Sequence, residues 1–167
     1  MILAIDIGTN LGFAIKIAKQ NMGNLKIPKD SMYVGLDSLP VIVGVKKLKR
    51  KSDTVRTQQL YYFIKELNEA ETIDTIVYEK VYRHTGSHAG HLFGAYENVL
   101  VRCSREFSTN LVDFSPTHIK KKFSGHGHAS KMRMMHEFKE RTGRQADNSD
   151  CVDAYAVLKT FENSDRT

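Results

Sequence analysis

The chain begins with two apolar runs joined by a glycine-containing turn. Residues 2–7 read Ile-Leu-Ala-Ile-Asp-Ile and residues 11–15 read Leu-Gly-Phe-Ala-Ile, with Gly8, Thr9 and Asn10 between them. Short apolar runs bounded by turn residues predict a β-hairpin. Asp6 stands inside the first run, where an unpaired buried charge would be strongly unfavourable. An acid at this position therefore indicates a functional role more than a structural one, and Gly8 would let a ligand approach the backbone closely.

The rest of the chain alternates between helical and extended patterns. The predicted elements are a third strand within Ser31–Val45, a helix over 53–69 with Ser52 or Asp53 as its N-cap, a strand over 72–79, a helix over 87–107, a strand over 110–114, a short helix after Pro116, a helix over 129–141 stopped by Gly143, and a last helix over 148–162. Strands first, followed by alternating helices and strands, predict an α/β fold in which helices flank a mixed sheet.

The last predicted helix opens with a cluster of acids. Asp147, Asp150 and Asp153 are spaced three positions apart where an apolar helical stretch begins. Residues three apart share one face of a helix, so these anions repel one another unless cations neutralise them. The spacing suits a divalent metal ion. The alternative is an acidic N-cap with a solvated first turn, which would need only one of the three carboxylates.

Two further segments end in an acid, at Asp6 and at Glu79, which closes a β-branched strand. In an α/β fold we expect Asp6, Glu79, Asp150 and Asp153 to meet at one edge of the sheet. Two Mg²⁺ ions roughly 4 Å apart could bind a phosphodiester there, one activating water and the other stabilising the leaving oxygen. Hard oxygen ligands favour Mg²⁺ or Mn²⁺ over zinc.

Size and composition favour one domain over residues 1–167, with 41% of the residues hydrophobic. No stretch approaches the roughly 20 apolar residues that span a bilayer, and no signal peptide is evident, so we expect a cytoplasmic protein with no membrane partner. Cys103 and Cys151 lack a Cys-x-x-Cys partner. That spacing argues against a disulfide framework or a thiolate zinc site and predicts ordinary buried thiols.

The formal net charge is +6, and the basic residues are concentrated in two runs. The first covers Lys46 to Lys51; the second starts with Lys120, Lys121 and Lys122 and continues through Lys131, Arg133, Lys139, Arg141 and Arg144. A basic field of this kind favours nucleic acid as the partner. For the first run alone, a localisation signal or a solvated face is an equally good interpretation.

Four motifs occur in an order that is similar to one known family. They are Ile5-Asp6-Ile7-Gly8 followed by Gly12; Val77-Tyr78-Glu79-Lys80-Val81-Tyr82; Ser124-Gly125-His126-Gly127-His128-Ala129-Ser130-Lys131; and Asp150-Cys151-Val152-Asp153-Ala154-Tyr155-Ala156. Together they resemble the RuvC-type Holliday junction resolvases of the ribonuclease H-like superfamily, over most of the chain. The family's first motif normally reads Asp-Pro-Gly, and Ile7 replaces the proline.

The resemblance implies a homodimeric, Mg²⁺-dependent endonuclease. It would nick two opposed strands of a four-way DNA junction symmetrically and leave 5′-phosphate and 3′-hydroxyl ends. The implied catalytic acids are Asp6, Glu79, Asp150 and Asp153, and Lys131 is the implied phosphate contact in the active site. Tyr82 falls where bacterial members carry an aromatic residue that wedges into the junction. The compact length suggests a phage version.

Several polar residues near these motifs are candidate DNA contacts, each with an ordinary alternative. Tyr82 as a stacking wedge competes with Tyr82 as a surface aromatic. Arg83, His84, His88 and His91 follow Glu79, and phosphate or solvent contact is a better interpretation than a zinc site because no cysteine lies near.

The loop before Lys131 carries a second histidine pair. His126 and His128 flank Gly127, where a flexible backbone suits a phosphate, and an ordinary polar turn is an equal alternative. The predicted helix over 87–107 could form the dimer face, although burial in the protein's own core is the better expectation for most of it.

Three other functions fit parts of the sequence. Residues 6–10 resemble the phosphate-binding turn of actin-like and sugar-kinase ATPases, but the chain has no second Asp-x-Gly-Thr turn with which to close over ATP. A related ribonuclease H-like nuclease acting on RNA or on other branched DNA is poorly separated from a junction resolvase. A non-catalytic junction-binding protein would not explain acids where they repel a DNA backbone.

Overall fold

The architecture was taken from a computed structural model, which describes residues 1–8, 10–35, 40–49, 52–82 and 86–164. Six strands form one sheet: β1 (Ile2–Ile7), β2 (Leu11–Lys16), β3 (Met32–Val34), β4 (Val41–Lys46), β5 (Thr75–Glu79) and β6 (Asn110–Phe114). Five α-helices accompany them: α1 (Asp53–Ala70), α2 (Ser87–Phe107), α3 (Pro116–Ser124), α4 (Lys131–Thr142) and α5 (Ser149–Ser164). A short 3₁₀ helix spans Lys19–Asn24.

The sheet is mixed, with the strand order β3-β4-β2-β1-β5-β6. β1 pairs with β2 as the antiparallel hairpin that the sequence predicts, and it pairs with β5 in parallel on its other side. β6 continues the parallel half. The carboxyl ends of β1, β5 and β6 therefore meet at one edge of the sheet, together with the turn between β1 and β2. We call this edge the carboxyl edge.

The two faces of the sheet carry separate apolar clusters. Leu3 and Ile5 of β1 pack under α1 and α2, whereas Ala4 between them packs under α3, α4 and α5. Successive side chains of a strand point to opposite faces, so one strand supplies both cores. Helices on both faces explain why the inner strands are apolar at nearly every position.

Helix boundaries follow the expected signals at most ends. The Ser52 side chain accepts the Val55 N–H at the start of α1, and the Ser115 side chain does the same for His118 before Pro116 opens α3. Gly143 ends α4 in the left-handed region at φ 66°. These contacts satisfy N–H and C=O groups that helix ends leave unpaired.

Two boundaries differ from the sequence-based expectations. The segment expected to hold a third strand contains two, β3 and β4, which pair antiparallel. α4 begins at Lys131 instead of Ala129, because the Ser130 side chain accepts the Arg133 N–H and so caps the helix there.

Asp147 is exposed and precedes α5, which starts at Ser149, so it does not share the helix face with Asp150 and Asp153. Cys103 and Cys151 are free and buried, as expected. Burial raises the pKa of the Cys103 thiol to about 12 and that of Cys151 to about 11, which leaves both unreactive near neutral pH. Among the described residues, none of the helices is long and apolar enough to cross a bilayer.

Candidate active site at the carboxyl edge

Asp6 and Glu79 lie at the carboxyl edge, on the face of the sheet that α5 covers. Ala4 of β1 and Val77 of β5 belong to the apolar cluster under α3, α4 and α5. A side chain two residues further along each strand points to the same face. Ala4 and Val77 are partners in the parallel register of β1 and β5, so two residues further on Asp6 comes beside Glu79. The register alone therefore places these two acids together.

Gly12 brings α5 to the same place. It lies opposite Asp6 in the β1–β2 pairing. A Cβ at Gly12 would lie 2.0 Å from the carbonyl oxygen of Asp150 and 2.6 Å from its carbonyl carbon, distances that real Cβ atoms essentially never show. Only glycine lets the first turn of α5 pack against β2 at this point. The close approach carries Asp150 to the Asp6 end of the sheet.

Two asparagines hold the start of α5. The Asn148 side chain accepts the backbone N–H of Asp150 at 2.8 Å, which is an N-cap contact. The Asn10 amide, in the β1–β2 turn, donates to a carboxylate oxygen of Asp150 at 3.4 Å. Asp153 follows three residues later on the same helix and is half-buried. The turn and the helix cap together orient the α5 acids toward the strand ends.

The four acids interact electrostatically. Burial raises the pKa of Asp6 well above its usual range, and the charges of Glu79, Asp153 and Asp150 raise it further. Burial and then the charge of Asp153 raise the pKa of Glu79 to about 7. Burial also raises the pKa of Asp153. Partly buried carboxylates that destabilise one another's charge form a local site that a cation would stabilise.

Two lysines oppose this repulsion from the same side of the sheet. The charge of Lys131, the first residue of α4, lowers the pKa of both Asp6 and Asp153. The charge of Lys120, in α3, acts on Glu79 and Asp153 in the same way. The Lys131 ammonium also donates to the Ser149 hydroxyl at 3.3 Å. Both ammonium groups therefore lie near the carboxylates as well as on the basic surface.

The donor chemistry fits a hard divalent cation. No group of three or more His, Cys, Asp or Glu side chains within the described ranges is arranged closely enough to hold a metal ion by itself. Mg²⁺ is usually bound by one or two carboxylates, with water and substrate phosphate completing its six ligands. A closed cage of protein ligands is therefore not required here, and gathered carboxylates are the appropriate protein share of such a site.

No protein-family model matches the chain, and no curated protein matches it. Solved structures do match. RuvC from Thermus thermophilus aligns with a TM-score of 0.71 and 18% identity, over 99% of this chain and 95% of that chain. T. thermophilus RuvC in complex with Holliday junction substrate aligns with a TM-score of 0.76, also at 18% identity, over 99% of this chain and 94% of that chain.

A third structure is that of the yeast mitochondrial Holliday junction resolvase Ydc2. It aligns with a TM-score of 0.61 and 16% identity, over 96% of this chain and 76% of that chain. The chain has the RuvC fold. The expected fold class, a ribonuclease H-like mixed sheet flanked by helices, is thereby confirmed.

On this RuvC fold, Tyr82 lies just beyond the carboxyl edge and is 70% exposed. The Lys80 ammonium lies 5.7 Å from the centre of its ring, and its hydroxyl is 3.5 Å from a carboxylate oxygen of Asp113. Neither contact covers the ring. Arg83 and His84, which the sequence also proposes as phosphate contacts, lie outside the described residues.

The other proposed DNA contacts surround the lysines. Lys121, Lys122, His126 and His128 are exposed at the end of α3 and in the loop after it. Arg133 donates to the Ser124 carbonyl at 3.0 Å, a contact that ties α4 to the end of α3. Part of this guanidinium therefore has a structural function, which the sequence did not indicate.

The histidines of α2 form no metal cluster in the part of the chain that the structure describes. His88 and His91 are exposed in the first turns of the helix, and His88 Nδ1 lies 3.8 Å from an Asp53 carboxylate oxygen. The exposed polar interpretation describes them better than the zinc pair. Burial of Phe93, Tyr96, Leu100 and Cys103 likewise confirms that one side of α2 belongs to the protein's own core.

Sequence reasoning did not identify Asn10, Gly12 or Lys120 as parts of this site. Gly12 was assigned to the first motif without a packing role, and Lys120 only to the basic run. A glycine aligned with an acid across a hairpin was the available signal for Gly12. Nothing in the sequence pairs residue 120 with residues 79 and 153, because that proximity depends on how α3 packs on the sheet.

Proposed function

We propose that this protein is a metal-dependent endonuclease that resolves four-way DNA junctions by paired symmetric nicks, leaving 5′-phosphate and 3′-hydroxyl ends. The supporting observation is the convergence of Asp6, Glu79, Asp150 and Asp153 at one edge, where they raise one another's pKa values and two lysines oppose them. A relative of the same fold has been captured with a Holliday junction substrate.

Each residue of the site has a defined part in this proposal. Asp6, Glu79, Asp150 and Asp153 would hold Mg²⁺, with Mn²⁺ as a substitute. The two ions would activate water and stabilise the leaving oxygen of the phosphodiester. Asn10 orients Asp150, and the N-cap at Asn148 fixes the direction of α5. Lys131 would contact the phosphate at the cleavage point while its charge offsets those of Asp6 and Asp153.

The surface beside the acids suits a nucleic-acid strand. A groove of about 560 Å³ starts at Lys131 and runs between α4 and the beginning of α5, with His136 and Lys139 among its lining residues. Lys120, Lys121 and Lys122 lie on the adjoining helix. Cations on both sides of a carboxylate cluster hold phosphates near it without occupying the cluster. Tyr82 would stack on an unpaired base at the junction centre.

A homodimer follows from the substrate. A four-way junction has two-fold symmetry, and two opposed nicks require two active sites related by the same symmetry. We infer in addition that residues 1–167 act as one nuclease domain, that the protein works in the cytoplasm, and that a phage is its source, in which case that cytoplasm is the bacterial host's.

The decisive experiment is digestion of a synthetic four-way junction in Mg²⁺, beside a linear duplex, a flap and an RNA–DNA hybrid, with cut positions mapped on every strand. We expect paired cuts at symmetric positions on two opposed strands of the junction, and nicked products that DNA ligase can seal. Preferential cutting of the flap or hybrid would replace the junction with another substrate. ATP hydrolysis without any cutting would favour the actin-like alternative.

A further inference from the structure

A second cavity lies on the opposite face of the sheet, next to the candidate active site. Its volume is about 250 Å³. Ile7 and Val81 form one wall, and Leu92 and Phe93 of α2 form another. Ile7 directly follows Asp6, and Val81 comes two residues after Glu79. The strand ends that carry two of the acids therefore also bound this cavity.

One cation interrupts the apolar lining. Arg56 of α1 contributes a half-buried side chain, and no ion pair of its guanidinium occurs within the described residues. Its nearest polar neighbour on this wall is the buried Tyr96 hydroxyl, which it approaches closely enough to lower the pKa of that group against the larger effect of burial. A guanidinium without a carboxylate partner, held among apolar side chains, retains donors for a ligand.

The size and chemistry of the cavity restrict its occupant. Pockets for drug-sized ligands usually measure about 300–1,000 Å³, so a space of about 250 Å³ suits something smaller, such as one planar heterocycle. Apolar walls disfavour a phosphate, which would lose its hydration there. A neutral ring with acceptor atoms on one edge would satisfy both the walls and the guanidinium.

We propose that this cavity, the base pocket, receives one nucleobase turned out of the DNA stack beside the cleaved phosphate, with Arg56 donating to its acceptor edge. The inference rests on the function proposed above and assigns a sequence-reading role to a surface outside the carboxylate cluster. Nucleobases that leave a stack are held between apolar side chains and read by hydrogen bonds to their edges. Unstacking costs least where pairing is already broken, as at a junction centre.

The planar fork of Arg56 favours one kind of base. A guanidinium pairs best with two adjacent acceptors, which guanine presents at O6 and N7. We expect guanine to be preferred at one position flanking the cut. Arg56→Lys keeps the charge and loses the fork, so it separates recognition of the base edge from simple attraction to DNA.

The first test measures unstacking directly. Junctions carry 2-aminopurine at each nucleotide flanking the cut, and its fluorescence is followed as protein binds in EDTA. One position should brighten on binding. Ala89→Trp fills the base pocket from an exposed position of α2, and it should abolish that signal while junction affinity changes less than twofold. The matched control is His91→Trp, an exposed position of the same helix outside the pocket, and it should behave like the wild type.

The second test compares cleavage of junctions that carry each of the four bases at the position that brightens. The wild type should favour guanine about tenfold, and Arg56→Lys or Ala89→Trp should reduce that preference below twofold. Junction cleavage with no brightening at any position, or an unchanged preference in Ala89→Trp, would overturn the base pocket and leave the endonuclease proposal standing. A wild type that neither binds nor cuts junctions would overturn both.

Discussion

The two faces of the sheet are built from the same strands and differ in how tightly their helices pack. On the α5 face the strands present small residues, Ala4, Ala14 and Gly12, and a helix backbone lies directly on them. On the α1–α2 face the same strands present Leu3, Ile5 and Phe13, which hold the helices off with side chains. The acids gather on the tight face, and the base pocket opens on the other.

This difference shows why the chemistry is confined to one face. Carboxylates from two strands and a helix can meet only where the helix backbone comes close, because an Asp side chain is short. Large apolar side chains on the opposite face leave gaps at its edge, and such a gap can accept a ligand. Strand alternation assigns each residue to its face.

The largest effect is expected from the acids of the tight face. Asp6→Asn, Glu79→Gln or Asp150→Asn should lower junction cleavage by about a thousandfold or more, because each removes charge from the proposed metal site. Junction binding in gel-shift assays should stay nearly unchanged, since the basic surface remains. Asp147→Asn is the matched control, because Asp147 is exposed before α5, and it should cleave normally. Wild-type turnover in the first three variants would refute the assignment.

A pair of glycines tests the packing of the two faces directly. A Cβ at Gly12 would meet the Asp150 backbone, whereas one at Gly44 would lie 2.6 Å from the tip of the Phe13 ring and 2.7 Å from the Ser31 hydroxyl. Both alanine variants should lose stability. Gly12→Ala should also lower cleavage about a hundredfold and weaken Mn²⁺ binding, because α5 must shift. Gly44→Ala should keep Mn²⁺ affinity, since a ring can rotate aside.

Calorimetric titration with Mn²⁺ and thermal unfolding of both variants make this comparison. Equal losses of Mn²⁺ affinity would show that general destabilisation, and not the position of α5, accounts for the result. Unchanged Mn²⁺ binding and cleavage in Gly12→Ala would remove the packing explanation for how Asp150 reaches the site.

Two lysines of α4 sharpen the distinction between the site and the surface around it. Lys131 interacts with Asp6 and Asp153, whereas Lys139 is exposed in the last turn of the helix. Lys131→Ala should lower the single-turnover rate about tenfold to a hundredfold and change affinity little. Lys139→Ala should weaken binding slightly and leave the rate at saturation unchanged. Equal losses of rate and affinity in Lys131→Ala would indicate a simple phosphate contact.

The smallest effect is on stability and depends on pH. Burial and Asp153 raise the pKa of Glu79 from 4.5 to about 7. A carboxyl with a raised pKa stabilises the fold while it is protonated, so this contribution is complete below pH 4.5 and is lost as pH rises through about 7. In EDTA, Glu79→Gln should exceed wild-type stability by on the order of 2 kcal/mol at pH 8 and match it near pH 5.

Urea unfolding at both pH values measures this difference. Glu97→Gln is the control of opposite sign, because hydrogen bonds from Lys80 and Tyr78 lower the pKa of Glu97. That variant should be less stable than the wild type at pH 8. A Glu79→Gln variant that is no more stable than the wild type at pH 8 would show that the charge of Glu79 is not under strain in the folded protein.

Local patterns were sufficient for most elements. The hairpin, α1, α2, β5, β6 and α5 occur where apolar periodicity and capping residues indicated them. The segment before α1 was harder, since its apolar residues fit one strand or two, and only the pairing of β3 with β4 distinguishes them. The fold class followed from the order of elements, because few arrangements bury strands and helices in that order.

The candidate site was less accessible than the fold. Three segments could be seen to end in acids, but the partnership of Asp6 with Glu79 depends on the register between β1 and β5, which are distant in sequence. Asn10 and Lys120 act on carboxylates 140 residues away in the first case and on Glu79 and Asp153 in the second. Such contacts leave no local periodicity to detect.

By itself the sequence determined which residues can carry charge, which stretches become strands or helices, and that acids stand at their ends, because these properties depend on neighbours within a few positions. Only the tertiary structure decided which charges meet. Strand register, the missing side chain at Gly12 and the packing of α3 and α4 set those distances, and each arises from parts of the chain that come together only when both faces of the sheet are covered.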